Sequence, residues 1–178
     1  MRPIAVDWKV YSVLIGIALL GFVALFLHKL FFFLVISLAT SLVALILRFV
    51  KPLKYMGIEL VTLSTMLVGA SYGPIIGGIY AFTLLLTHLV LGDYYIGVYL
   101  IWVLPEYVLL GVMSGVFASN LDSIGIAFVI GMNIMNLIFT YLNENDRFFK
   151  ELPYAIGNSL INSFLFVQFF AAVLQFIG

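Results

Sequence analysis

The sequence predicts an all-α fold, a polytopic transmembrane helical bundle of six to seven helices, and three observations carry that reading. Of 178 residues, 65% are hydrophobic and 9% are charged, against roughly a quarter charged in an ordinary soluble domain. The mean hydropathy is +1.23, more apolar surface than a soluble chain of this length hides. The apolar residues also fall into runs close to the roughly 20 residues that span a hydrocarbon core. The expected organisation is a single integral membrane domain over 1–178, with an extra N-terminal helix at about 10–27 before a core at about 30–177.

The first run, about 10–27, follows Arg2 and Lys9 and has the flanks of a signal peptide. No small-x-small cleavage site precedes a polar mature region, and a second run starts at Leu30, so a retained anchor is expected. The second run, about 30–47, places Ser37 and Ser41 four apart, a spacing that lets helices approach closely. The third, about 57–70, is short for a crossing and reads as a tilted short helix, a half-helix or a re-entrant segment. Between it and the fourth run, about 74–92, lies Gly69–Gly78 (GASYGPIIGG). Unpaired backbone groups are costly in hydrocarbon, so irregular chain at this depth must be buried in protein or line a cavity. The segment is therefore expected to form one wall of a cavity.

The fifth run, about 95–118, holds Pro105 and Glu106 near its middle and ends on the Gly111/Gly115 pair. A proline inside a membrane helix frees a carbonyl of the preceding turn, which suits a kinked, polar-lined wall. The sixth and seventh runs, about 123–142 and 153–177, flank Asn143–Leu152 (NENDRFFKEL). That stretch reads as a solvated loop or as a docking surface for a partner. There is no convincing internal repeat of the kind that marks inverted-repeat transporters.

Basic residues set the expected orientation. If all seven runs cross, seven of the eight Lys and Arg residues fall on one side, leaving only Lys29 on the other. The expectation is a multi-pass protein of the cell membrane with a cytoplasmic N-terminus and an outer C-terminus. Were 57–70 re-entrant, Arg147 and Lys150 would change sides and the bias would weaken.

Several chemistries are excluded by residue type. Without cysteine there is no disulfide or thiolate, and with only His28 and His88 there is no histidine-rich metal site. Net charge is zero with no basic block, so no nucleic acid partner is expected. No Lys-Ser/Thr follows the glycine-rich run, which rejects a nucleotide loop. No cofactor is expected. Nor is there a paired-acid metal motif or a GxSxG elbow, so enzymatic activity lacks residue-level support.

Acids in apolar surroundings mark functional candidates, because burying a carboxyl is costly. Glu106 lies mid-run. Glu59 lies near the start of its run, within a turn of the membrane surface, and Asp93 follows Gly92 in a turn-forming context. His88 sits one turn before Asp93. Asn133 and Asn136 are three apart and Asn158 and Asn162 four apart, so each pair shares a helix face. Amides supply donors and acceptors without charge, which suits either ligand recognition or helix–helix hydrogen bonds. Glu59, His88, Asp93, Glu106, Asn133, Asn136, Asn158 and Asn162 are the substrate-binding candidates.

The stretch Gly57–Phe117 resembles the substrate-binding membrane subunits (S components) of energy-coupling-factor vitamin transporters. The likeness rests on Gly57-Ile-Glu-Leu-Val-Thr-Leu, Val68-Gly-Ala-Ser-Tyr-Gly-Pro-Ile-Ile-Gly-Gly, Pro105 and Gly111-Val-Met-Ser-Gly-Val. The related rod-shape membrane scaffold of the MreD type shares these features. The first resemblance implies an all-helical bundle whose extracytoplasmic half encloses one small molecule, such as a vitamin or related nutrient. Energy would come from a transmembrane coupling subunit and ATPases. The second implies a non-catalytic scaffold amid membrane lipid. An integral membrane enzyme acting on lipids through Glu106 and His88 is a third reading.

Overall fold

A computed structural model describes residues 8–94 and 96–177. Arg2, on which the predicted orientation partly rests, lies outside the described residues, as does the side chain of Lys9. The described chain is all-helical: α1 (Trp8–Phe26), α2 (His28–Phe49), α3 (Lys51–Tyr55), α4 (Val61–Tyr72), α5 (Pro74–Leu91), α6 (Leu100–Val116), a 3₁₀ turn (Ala118–Asn120), α7 (Leu121–Asn143) and α8 (Asn145–Ile177). Four stretches are long and apolar enough to cross a membrane: His28–Phe49, Pro74–Leu91, Ala118–Asn143 and Asn145–Phe176. Tyr11–Phe22, Val61–Tyr72 and Leu100–Val116 are apolar but shorter.

The chain divides into two compact units, one ending at Val35 and the other beginning at Ile36. In the first, α1 exposes Leu14, Ile15, Ile17 and Leu19. In the second, large apolar side chains such as Ile79, Ile101, Leu160 and Val167 face outward, while Glu59, Thr62, Asn158 and Asn162 are buried. A soluble domain does the reverse. This inversion, with the four long apolar helices, marks a membrane protein.

In the larger unit α4 is the central helix. Every residue from Val61 to Gly69 is buried, and the helix packs against α5, α6, α7 and α8. Its neighbours each turn one face inward. On α6 the buried residues are Trp102, Val103, Glu106, Tyr107, Leu110, Gly111 and Ser114, the three-to-four spacing of a single helical stripe. Pro105 lies on the exposed side of that helix, which turns its neighbour Glu106 inward. The part of α2 beyond Ile36 is joined by hydroxyls: Thr40 bonds Ser64 on α4 at 2.7 Å, and Ser37 bonds Tyr80 on α5 at 3.2 Å.

The third apolar run starts later than its sequence suggests. Residues 56–60 enter the unit without helical structure, and α4 begins only at Val61. Gly57, at φ 70°, lies so close to α8 that a Cβ there would stand 2.3 Å from the Tyr154 carbonyl oxygen. A Cβ on Gly157 would stand 2.0 Å from that of Met56. Irregular backbone is thus seated against a helix with no side chain between, where its polar groups find partners.

Two expectations are corrected. Gly69–Gly78 lines no part of the cavity that lies between α5, α6, α7 and α8. Its only non-helical residue is Gly73, at φ 91°, whose N–H bonds Gly69 O at 2.9 Å before Pro74 opens α5. The other glycines let α4, α5 and α6 touch backbone to backbone: a Cβ on Gly111 would lie 2.3 Å from the Gly77 carbonyl oxygen. Asn143–Leu152 is not a loop either. Glu144 alone separates α7 from α8, and Arg147 binds Glu144 and Glu151 at 2.7 and 3.2 Å, pairs at helical three- and four-residue spacing.

The glycine contacts carry a direct test. Gly111→Ala is expected to lower stability by about 1–3 kcal/mol, because backbone on both sides must shift to admit the methyl group. At Gly131 an added Cβ meets nothing within 4 Å. There the same change is expected to be neutral, or to stabilise by up to about 1 kcal/mol through helix propensity. Thermal unfolding in mild detergent compares the two.

Candidate functional site

The eight candidate residues divide into two groups that touch each other. His88, Asp93, Glu106, Asn133 and Asn136 line one cavity of about 420 Å³. Glu59, Asn158 and Asn162 do not line it; they form a hydrogen-bonded layer beside it that secures the unwound segment.

That layer is built on the Glu59 carboxylate, which is 1% exposed. Its side chain folds forward over the start of α4 and accepts from the backbone N–H of Val61 and of Thr62, the latter at 3.1 Å. A helix N-terminus has unpaired N–H groups and a positive dipole end, and a carboxylate satisfies both. Glu59 Oε1 also accepts from three side chains, Thr62 Oγ1 at 2.6 Å, Asn158 Nδ2 at 2.9 Å and Asn162 Nδ2 at 3.0 Å. Asn158 Nδ2 also reaches Gly57 O at 3.1 Å, which satisfies the unwound chain. With its donors all supplied by protein, Glu59 has an architectural part rather than a ligand-facing one.

Asn133 joins the layer to the cavity. Its amide donates to Val129 O and to Asn158 Oδ1, each at 2.9 Å, while the residue faces the cavity. Asn136, one turn on, accepts from Trp102 Nε1 at 3.1 Å, which ties α7 to α6.

The cavity lies between the C-terminal end of α5, the N-terminal half of α6, α7 and the start of α8. A turn with two crossing hydrogen bonds ends α5: Tyr94 N donates to Leu89 O at 2.9 Å and Asp93 N to Val90 O at 3.3 Å. Such a helix stop needs a left-handed residue, and Asp93 supplies it at φ 54°. The turn brings Tyr94 back over His88, with ring centroids 5.0 Å apart. Lys54 of α3 closes over it, donating to Gly92 O at 3.0 Å and Asp93 O at 2.6 Å, with Nζ 3.9 Å from the centre of the Tyr94 ring. Burial pushes the Lys54 ammonium below its ordinary range, against the opposing pull of Asp93. Across the mouth, Arg147 sits 5.3 Å from the centre of the Tyr99 ring.

Inside the cavity several polar groups have no hydrogen-bond partner among the described residues: both ring nitrogens of His88, Glu106 Oε1 and the Tyr94 hydroxyl. His88 is 3% exposed and Glu106 7%. Buried polar atoms are normally hydrogen-bonded to protein or to water, so these are the groups of the concavity that the described side chains leave open. Sequence reasoning missed the wall of tyrosines, Tyr94, Tyr99, Tyr107 and Tyr154, along with Lys54 and Arg147. For part of that wall the signal lay in the clustering of Tyr94, Tyr95 and Tyr99 directly after Asp93.

The two carboxyls are therefore expected to answer mutation oppositely. Glu59→Ala leaves helix N–H groups unpaired, removes one bond from each of Asn158 and Asn162, and should destabilise by about 2–5 kcal/mol. Glu106→Gln removes no protein hydrogen bond at Oε1 and should change stability by less than about 1 kcal/mol. Unfolding midpoints of both variants in one detergent decide it.

None of the protein-family models, curated proteins or solved structures compared with this chain matches it.

Proposed function

We propose that this protein is a membrane-embedded substrate-binding subunit that holds one small molecule in the cavity between α5, α6, α7 and α8. The observation that carries the reading is the set of buried, unpartnered groups, Glu106 and His88 foremost, converging on a 420 Å³ space. Pre-formed concavities of a few hundred Å³ with mixed apolar and polar lining are the usual form of small-molecule sites. Uptake of a vitamin-like nutrient, energised by a separate transmembrane coupling subunit and ATPases, is the function that the resemblance to S components suggests. A scaffold would present small-residue faces to partners. Here Gly77 and Gly111 meet each other inside the bundle, which favours the binding reading.

Under this proposal α2, α4, α5, α6, α7 and α8 all cross the cell membrane, with α1 as the additional N-terminal crossing. Lys54, Asp93 and Arg147 gather at the mouth. By the positive-inside rule the mouth faces the cytoplasm, the release side of an uptake subunit.

Native mass spectrometry of the protein purified in mild detergent tests the function. A stoichiometric small molecule is expected on the wild-type chain and is expected to be lost in Glu106→Ala. A ligand-free protein that instead captures a membrane complex, with Glu106→Ala silent, would favour the scaffold. Turnover of lipid substrates would favour an enzyme. Reporter fusions after residue 147 and at residue 178 test the orientation: the first is expected inside and the second outside. Two reporters on one side would remove α8 as a crossing.

A further inference from the structure

We infer that the ligand is an organic cation, whose protonated nitrogen seats against Glu106 while its body lies among tyrosine rings and apolar side chains. This rests on the reading of the cavity as a binding site and names the class of molecule it takes.

The charge arrangement points there first. At the mouth, Asp93, Glu144 and Glu151 balance Lys54, Arg147 and Lys150 in number. Arg147 is engaged by both glutamates, and Lys54 by two backbone carbonyls. Glu106 stands apart from these pairs, two turns into α6, and among the described residues no basic side chain binds it. A buried carboxyl with an oxygen that no described residue bonds is the natural counterpart of a ligand cation.

The walls make the same point independently. Tyr94, Tyr99, Tyr107 and Tyr154 line the space, and the faces of tyrosine rings attract cations. Two of those rings already carry cations of the protein itself, Lys54 on Tyr94 and Arg147 on Tyr99. Between them, Leu85, Leu89, Val103 and Met132 offer apolar surface to a hydrocarbon body. His88 and the Tyr94 hydroxyl remain to hydrogen-bond a polar substituent. An inorganic divalent ion fits poorly, because it needs three or more hard donors. Among the described residues no group of three His, Asp or Glu side chains converges to supply them.

The test uses the full chain in detergent, freed of co-purified small molecules by washing. Its probes are 2-phenylethylamine, the neutral isostere 2-phenylethanol and the anion phenylacetate. Titration calorimetry is expected to show the amine binding at least tenfold tighter than either of the others. Glu106→Gln should erase that preference, and Glu106→Asp should restore part of it. A tighter alcohol or carboxylate, or a preference for the amine that survives Glu106→Gln, overturns the inference but leaves the cavity a binding site. Should Glu106→Gln fail to fold, the co-purified molecule from wild-type protein decides: a basic nitrogen compound supports the inference, and an acidic or neutral one overturns it. No probe binding and no co-purified molecule would overturn this inference and the binding reading together.

Discussion

The Glu59 carboxylate and the amides that hold it are the constraint on which the rest of the larger unit depends. A chain that enters a bundle without helical structure carries N–H and C=O groups that neither water nor lipid will satisfy. Glu59 supplies acceptors to the start of α4, and Asn158 supplies donors to both Glu59 and Gly57. That one exchange allows α4 to be short, central and buried along Val61–Gly69. Because α4 is the element that α5, α6, α7 and α8 surround, its start also sets where their inward faces meet. The contact glycines then decide how closely they meet, since packing rather than the hydrophobic effect joins helices in lipid.

Two glutamates of one chain thus take opposite parts for reasons of geometry. Glu59 lies at a helix start, where N–H groups point outward and a dipole welcomes negative charge. Glu106 lies within a helix, where the backbone hydrogen bonds are already closed and offer it nothing. Proline before it adds no donor. A carboxyl in that position is bonded only by what another helix or a ligand brings, and among the described residues the facing helices bring no donor to Oε1.

Much of this was legible in the sequence, and the rest was hidden for identifiable reasons. Composition and run length pointed to a helical membrane protein, and the spacing of Asn133/Asn136 and Asn158/Asn162 marked inward faces. Five of the candidates meet in the cavity: His88, Glu106, Asn133 and Asn136 are polar groups on apolar helices, and Asp93 is the turn residue that ends α5. The division between Glu59 and Glu106 was not legible, since Glu59 finds Asn158 and Asn162 across 99 and 103 residues of sequence. The role of Gly69–Gly78 was misread because glycine serves a turn and a helix contact equally. Only neighbours distinguish the two, and they lie at Gly111, Ser114 and Gly115 on α6. The charged stretch after Asn143 resembled a loop by composition, although Glu144, Arg147 and Glu151 already stood at helical spacing.

Asn133 gives the two layers a common element, and this bears on how a binding event would be felt. Its amide holds Asn158, whose own amide holds the unwound chain and the Glu59 carboxylate. The same residue faces the cavity. Hydrogen bonds in such chains polarise one another in a low-dielectric interior. A molecule that engages Asn133 therefore acts on the bonds that order residues 57–62, not only on the cavity wall. By mass action any ligand of the native state stabilises the fold. Under the proposed function that stabilisation would reach α4 through Asn133 and Asn158. The cavity and the unwound start of α4 are for this reason one device, in which the groups that hold the fold and the groups left open share an asparagine.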